Sequence, residues 1–222
     1  MDKFIQIRKK YKKQILLKDE KGEPLLIQHS NAFTFEEGNE FYEYFNNIDW
    51  KTQEVKIAGR WIKQARETFA YSKDGRTYTY SGLKITPQLY DDKINIIQQK
   101  IQKLCNQTCD YYLCNRYNNI TNYISEHSDD ESELDPNSSI ISISFGQTRR
   151  FVIRIPKNKT TENPRKPILI VKMNHGDIIE MCSGFQNLYT HSVPKITKLE
   201  KKNITHQYRI NLTGRTLKNN SS

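Results

Sequence analysis

No apolar run in this 222-residue chain approaches the ~20 residues a membrane-crossing helix needs. The N-terminus is basic and lacks the apolar core of a secretion signal. Together these absences exclude a helical membrane protein and make a soluble, intracellular protein the expectation. The 4 cysteines (Cys105, Cys109, Cys114, Cys182) lack paired C-x2-C spacing, so they read as structural or incidental thiols rather than a zinc-binding motif. Internal repeats are absent. Hydrophobic residues make up only 36%, but 11% aromatic content argues against wholesale disorder. A chain of this length can bury a core without disulfides.

Charge is abundant and unevenly placed. Residues 1–30 carry 8 basic and 4 acidic side chains, net +4; residues 31–144 carry 12 and 17, net −5; residues 145–222 carry 15 and 4, net +11. So basic a C-terminal third suggests a polyanionic partner, with a solvated basic face as the plain alternative. The run Arg8-Lys9-Lys10-Tyr11-Lys12-Lys13 reads as a nuclear-import or phosphate-contacting tail, or as a disordered end. Residues 1–30 are therefore set apart as a basic N-terminal extension, and 31–222 as one domain.

Two helices are predicted. Phe35 to Asn47 places Phe41, Tyr44 and Phe45 at helical spacing, and Thr34 with Glu37 forms a capping box. Thr86-Pro87 opens the second, with Leu89, Ile94, Ile96, Ile97, Ile101 and Leu104 as its apolar stripe. Short strands follow at Ile140–Ser144, Phe151–Ile155, Ile168–Met173, Ile178–Met181 and Tyr208–Thr213. Helices first and strands afterward predict an α+β fold with a β-sandwich or jelly-roll core.

His127-Ser128-Asp129 is an H-x-D pair. On a strand, residues i and i+2 share a face, so imidazole and carboxylate can meet one ion. A later histidine would complete a two-His, one-carboxylate set with open coordination positions, which suits Fe(II) oxygenases. By itself the pair is a common coincidence. His175 sits in a turn-like Asn-His-Gly-Asp stretch, His206 in a polar stretch, and His191 at a strand end. His191 is preferred because strand-borne ligands are held rigidly. In Arg209-Ile210-Asn211-Leu212-Thr213-Gly214-Arg215 both arginines fall on the polar face, about 20 Å apart on a straight strand. Their arms could serve opposite ends of a small dicarboxylate site; the alternative is an exposed basic face.

Taken together, Asn115-x-Tyr117, His127-x-Asp129, His191 and Arg209-x5-Arg215 resemble the AlkB family of iron- and 2-oxoglutarate-dependent dioxygenases. Gly75–Leu83, Glu126–Glu131, Ile143–Gly146, His175–Asp177 and His191–Pro194 carry the same resemblance, which runs from about Val55 to Thr216. It is closest to the eukaryotic nucleic-acid demethylase branch. The resemblance implies a double-stranded β-helix (jelly-roll) with N-terminal helices packed outside. It implies Fe(II) on His127, Asp129 and His191, with 2-oxoglutarate clamped by Arg209 and contacted by Asn115 and Tyr117. Arg215, with Asn211, supports the iron end. The reaction implied uses dioxygen to remove N-methyl groups as formaldehyde, turning 2-oxoglutarate into succinate.

The resemblance also assigns substrate contacts within a recognition segment of about residues 50–85. Tyr80, with Tyr78 on the same strand face, walls the base opposite His127; Arg66 lies near the substrate. Glu131 receives an exocyclic amino group, favouring 1-methyladenine and 3-methylcytosine. Arg60, Arg149, Arg150 and Lys195 are phosphate-contact candidates on charge alone. Where the duplex-repairing relative carries an aromatic wedge, this chain has Ile57-Ala58-Gly59. Alanine cannot fill a base-sized gap, so single strands or RNA are expected over duplex DNA. A monomer without membrane attachment is expected. Two other readings compete: an oxygenase acting on protein or a small molecule, and a non-catalytic nucleic-acid-binding module.

Overall fold

The computed structural model describes residues 10–57, 60–77, 79–80, 83–159, 166–204 and 206–218. In chain order the strands begin with β1 (Lys12–Lys18), β2 (Pro24–Ser30), β3 (Glu54–Ile57), β4 (Arg60–Lys63) and β5 (Glu67–Ser72). Next come β6 (Thr79–Tyr80), β7 (Leu83–Lys84), β8 (Gln88–Leu89), β9 (Tyr111–Tyr117), β10 (Ile124–His127) and β11 (Ile140–Gly146). The last are β12 (Arg149–Arg154), β13 (Leu169–Met173), β14 (Asp177–Met181), β15 (Thr190–Val193) and β16 (Arg209–Arg215). Helices are α1 (Phe35–Asn46), α2 (Asp92–Cys105) and the single turn α3 (Phe185–Leu188).

Two sheets face each other. The major sheet has eight strands in the order β1-β2-β14-β11-β16-β9-β5-β8, and the minor sheet four, β10-β15-β12-β13. One apolar cluster fills the space between them, with Leu113, Ile140, Phe151, Ile153, Ile179 and Met181 among its members. The other lies under α1 and α2 on the outer face of the major sheet, built from Phe41, Phe45, Ile94, Ile97, Ile101, Phe145, Ile210 and Leu212. This is the expected jelly-roll with outer helices.

Local chemistry accounts for the helices. At α1, Thr34 Oγ1 accepts from the Glu37 N–H and the Glu37 carboxylate accepts from the Thr34 N–H, the predicted capping box. Phe33, Phe41, Phe45 and Phe145 then pack ring on ring. Gly38 is needed because an added Cβ would lie 2.3 Å from His175 Nε2. The second helix starts later than predicted. Asp91, not Thr86, caps it, accepting from the Ile94 N–H, and Gln88–Leu89 is a short strand parallel to β5. A residue before proline is biased to extended backbone, which suits a strand there. Ile94, Ile97 and Ile101 are completely buried, each worth roughly 1.5–3 kcal/mol. Leu89 and Ile96, read into the same stripe, are exposed.

Lys12–Ser30 does not form a detached extension. β1 and β2 make an antiparallel hairpin, and β2 adds to the major sheet along β14. Leu25, Leu26 and Ile27 are buried there, which supplies the reason. Ala58, Gly59 and Tyr78 lie outside the described residues, as do the side chains of Ile57 and Tyr80. Among the described residues, no helix is long and apolar enough to cross a membrane.

Candidate metal and cosubstrate site

Strand pairing brings the three expected ligands together. β10 and β15 are antiparallel neighbours in which His127 sits opposite His191. Their ring centroids are 4.3 Å apart. Asp129 follows just beyond β10, with Oδ1 3.6 Å from His127 Nε2. One ligand atom from each of the three lies within 4.8 Å of the others. The Nδ1–H of His127 donates to the Ser125 carbonyl at 2.8 Å, which turns Nε2 toward Asp129. His191 is buried and stacked on Phe151 at 5.0 Å.

Asp129 is a buried carboxylate held by a buried cation. Arg215 Nη2 donates to Asp129 Oδ1 at 3.0 Å. Burial alone would raise the Asp129 carboxyl; Arg215, then His191 and His127, outweigh it and hold the group below the ordinary carboxylate range. His191 moves down, to about 3, because burial and His127 oppose a charged ring. Asp129 Oδ2 is buried with no hydrogen-bond partner among the described residues. A dry carboxylate oxygen beside two imidazoles is a donor set that a divalent transition-metal ion would complete.

Arg209 lies at the other end of the same pocket. It is 1% exposed; Nη2 donates to Ser144 Oγ at 3.0 Å, and the guanidinium sits 5.0 Å over the Tyr117 ring. Nε and Nη1 are buried with no hydrogen-bonding acceptor among the described residues. Unused donors on a buried cation fit a carboxylate, whose planar oxygens match the guanidinium edge. The pocket, partly open to solvent, is lined by Asn115, Tyr117, His127, Asp129, His191, Arg209, Asn211, Thr213 and Arg215. The β16 face expected to be polar is therefore buried, not a solvated basic stripe.

Several other expected residues take different places. Asn211 spends its amide inside the protein: Nδ2 donates to Ser142 Oγ and the Ile143 carbonyl, while Oδ1 accepts from Thr213 Oγ1. Arg66 is buried behind Asn115, with Nε donating to Asn115 Oδ1 at 2.6 Å. Glu131 opens into an adjoining pocket that shares Asp129 and Arg215. Burial pushes its carboxyl up to about 7, Asp129 adding to the rise and Arg215 opposing it. His175 is a turn residue whose Nδ1 accepts from the Gly146 N–H.

Charge alone misassigned Arg149. It is 2% exposed, with Nη2 donating to the carbonyls of Asn122 and Pro194 and its guanidinium 5.2 Å over Tyr117. Burial, then the neighbouring Arg209, pushes it down to about 10. Tyr117 is thus flanked by two guanidinium groups. Arg150 pairs with Glu200 at 2.7 Å, while Arg60 is exposed on β4. Sequence reading missed Trp61, which is 67% exposed on the β3–β4 hairpin. A tryptophan between Arg60 and Lys63 in a polar, basic run was the available signal.

The profile of the 2OG-Fe(II) oxygenase superfamily matches residues 31–215. The chain is 33% identical to the Mus musculus DNA oxidative demethylase ALKBH2 over 162 residues, 72% of this chain and 66% of the relative. It is 32% identical to the Homo sapiens DNA oxidative demethylase ALKBH2 over 185 residues, 82% of this chain and 67% of the relative. Homo sapiens alpha-ketoglutarate-dependent dioxygenase alkB homolog 3 is 27% identical over 76% of this chain and 61% of its own length. The matched segment thus spans about two thirds of these relatives. The solved structure of OsALKBH1 superposes with a TM-score of 0.60 at 16% identity, covering 87% of this chain and 97% of that one, which speaks to the fold.

Proposed function

This chain belongs to the 2OG-Fe(II) oxygenase superfamily, and on that premise we propose that it demethylates alkylated bases in nucleic acid by oxidation, as a DNA repair activity. The observation that carries this reading is the buried, half-satisfied Arg209 opening into the same pocket as His127, Asp129 and His191. The named relatives, DNA oxidative demethylases among them, supply the substrate class.

His127, Asp129 and His191 would hold Fe(II), and Arg209 the distal carboxylate of 2-oxoglutarate. When bound, the ion and its cosubstrate supply oxidation of an N-methyl carbon by dioxygen, with succinate, carbon dioxide and formaldehyde as by-products. The chain's own residues position and protect. Arg215 keeps Asp129 ionised and aimed; without that partner a buried carboxylate would neutralise. The Ser125 carbonyl fixes the His127 tautomer. Arg66 fixes the amide of Asn115, whose role with Tyr117 is to contact the cosubstrate. Phe151 closes one side of the His191 ring to water.

On the substrate side, Glu131 receives the exocyclic amino group of 1-methyladenine or 3-methylcytosine, and Tyr80 with Tyr78 forms the stacking wall. A base must leave its stack to reach this depth. With alanine at position 58, single strands are preferred to duplex. The chain works as a monomer. Formaldehyde release from 1-methyladenine and 3-methylcytosine oligonucleotides tests the reading: turnover should require both iron and 2-oxoglutarate and run faster on single strands than on the annealed duplex. No turnover by iron-loaded protein overturns the activity; a duplex preference overturns the strand preference.

A further inference from the structure

The outer face of the major sheet carries a second cluster of ligand-type side chains that the oxygenase site does not use. His29 on β2 and Glu180 on β14 are both buried, under Cys105 at the end of α2. His29 Nε2 lies 3.0 Å from Glu180 Oε2 and 3.7 Å from Cys105 Sγ. All three ligand atoms fall within 4.8 Å of one another. Tetrahedral zinc, with bonds of about 2.0–2.1 Å to nitrogen and oxygen and 2.3 Å to sulfur, requires ligand–ligand edges of roughly 3.3–3.6 Å. The two measured edges bracket that range.

The surroundings are those of a metal ligand set. Tyr11 Oη lies 2.9 Å from His29 Nδ1, where it can accept a hydrogen bond from Nδ1–H once Nε2 is committed to a metal. Ser139 Oγ donates to the second carboxylate oxygen, Glu180 Oε1, at 3.1 Å. Imidazole, thiolate and carboxylate together suit zinc rather than magnesium or calcium, which take oxygen ligands.

We propose that His29, Cys105 and Glu180 form a structural binding site for a thiophilic divalent cation, zinc by preference, separate from the iron site. Such an ion joins β2, the C-terminus of α2 and β14, three segments far apart in sequence. It would clamp the N-terminal hairpin, which precedes the family-matched residues 31–215, to the core. Binding displaces the proton of the Cys105 thiol, since the thiolate is the ligand form.

Cobalt(II) is the discriminating probe, because a thiolate–cobalt charge-transfer band in the near ultraviolet cannot arise from two histidines and an aspartate. The chelator-stripped 222-residue chain should bind two equivalents of cobalt and show the band. His127→Ala, which impairs the iron site, should keep the band and bind one equivalent. Cys105→Ser should lose the band and also fall to one equivalent. No thiolate band in the folded wild type, or a band that persists in Cys105→Ser, overturns the proposal. Should Cys105→Ser fail to fold, wild-type protein still decides: zinc must protect Cys105 from alkylation as mapped by mass spectrometry, and equal labelling with and without zinc overturns it.

Discussion

Along β16, Ile210 and Leu212 face the helices, while Arg209, Asn211, Thr213 and Arg215 face the minor sheet. Every residue of the strand is buried. The outer face therefore resembles an ordinary core, stabilised by removal of apolar surface from water. Its inner face is a set of charges and amides that must each be satisfied or left for a ligand. Asn211 is committed to the protein, Arg215 donates to Asp129 and to the Thr213 carbonyl, and Arg209 keeps both Nε and Nη1 without an acceptor among the described residues. One strand thus separates stability from chemistry by the two-residue alternation of its side chains. Substitutions on the two faces should fail in different ways.

The largest effect is expected at the iron ligands. Losing an outer partner of a metal ligand costs about 10–100-fold, so His127→Ala should lower formaldehyde release by more than that, with circular dichroism unchanged. Asp129→Ala should be as inactive and also less stable, because it leaves Arg215 buried without its carboxylate, a loss of about 3–5 kcal/mol. An active variant of either kind would remove the metal assignment.

On the opposite face, Leu212→Ala should destabilise by about 2–5 kcal/mol in denaturant titration. Its turnover per folded molecule should stay near wild type, and a large loss of turnover in the folded fraction would break the division between faces. Arg209→Lys retains charge but loses the bidentate edge. A charge-assisted hydrogen bond is worth about 1.5–3 kcal/mol, which corresponds to a 10- to 100-fold rise in KM for 2-oxoglutarate with a small change in Tm. An unchanged KM would place the cosubstrate elsewhere.

The smallest effect belongs to the periphery. Thr34→Ala should cost about 1 kcal/mol through the lost cap and leave KM and kcat untouched. Burial would raise the Glu37 carboxyl, but Lys100 and the Thr34 N–H hold it below its ordinary 4.5. A depressed carboxylate stabilises fully above the unfolded value and loses that contribution as pH falls through the folded one. The stability gap between wild type and Glu37→Gln should accordingly narrow as pH drops below about 4.5; a gap that widens would contradict the cap's geometry.

Legibility in the sequence followed the range of the interaction. The α1 cap was readable because Thr34 and Glu37 are three residues apart, and the strands of the core because their alternation is local. That Lys12–Ser30 would join the major sheet was not legible because charge dominates the run, whereas the burial of Leu25 to Ile27 against β14 depends on a distant strand. Arg149 was misjudged for the same reason: an arginine's sequence neighbours do not reveal that Tyr117 and two backbone carbonyls will enclose it.

The ordered motifs carried a resemblance to the AlkB family, and it was that resemblance, not the spacing of His127-x-Asp129 or of the two arginines alone, that implied iron and 2-oxoglutarate chemistry. Which side chains are spent inside the protein was a matter for the packed sheets. Only the β10–β15 register sets His127 against His191, and only the pairing of β16 with β9 and β11 buries Arg209 and ties Asn211 to its neighbours. His29, Cys105 and Glu180 have no common motif at all; they meet because β2 adds to β14 beneath the end of α2. Short-range patterns are set by backbone geometry that each segment carries with it. Burial and pairing across strands exist only once the sheets have closed.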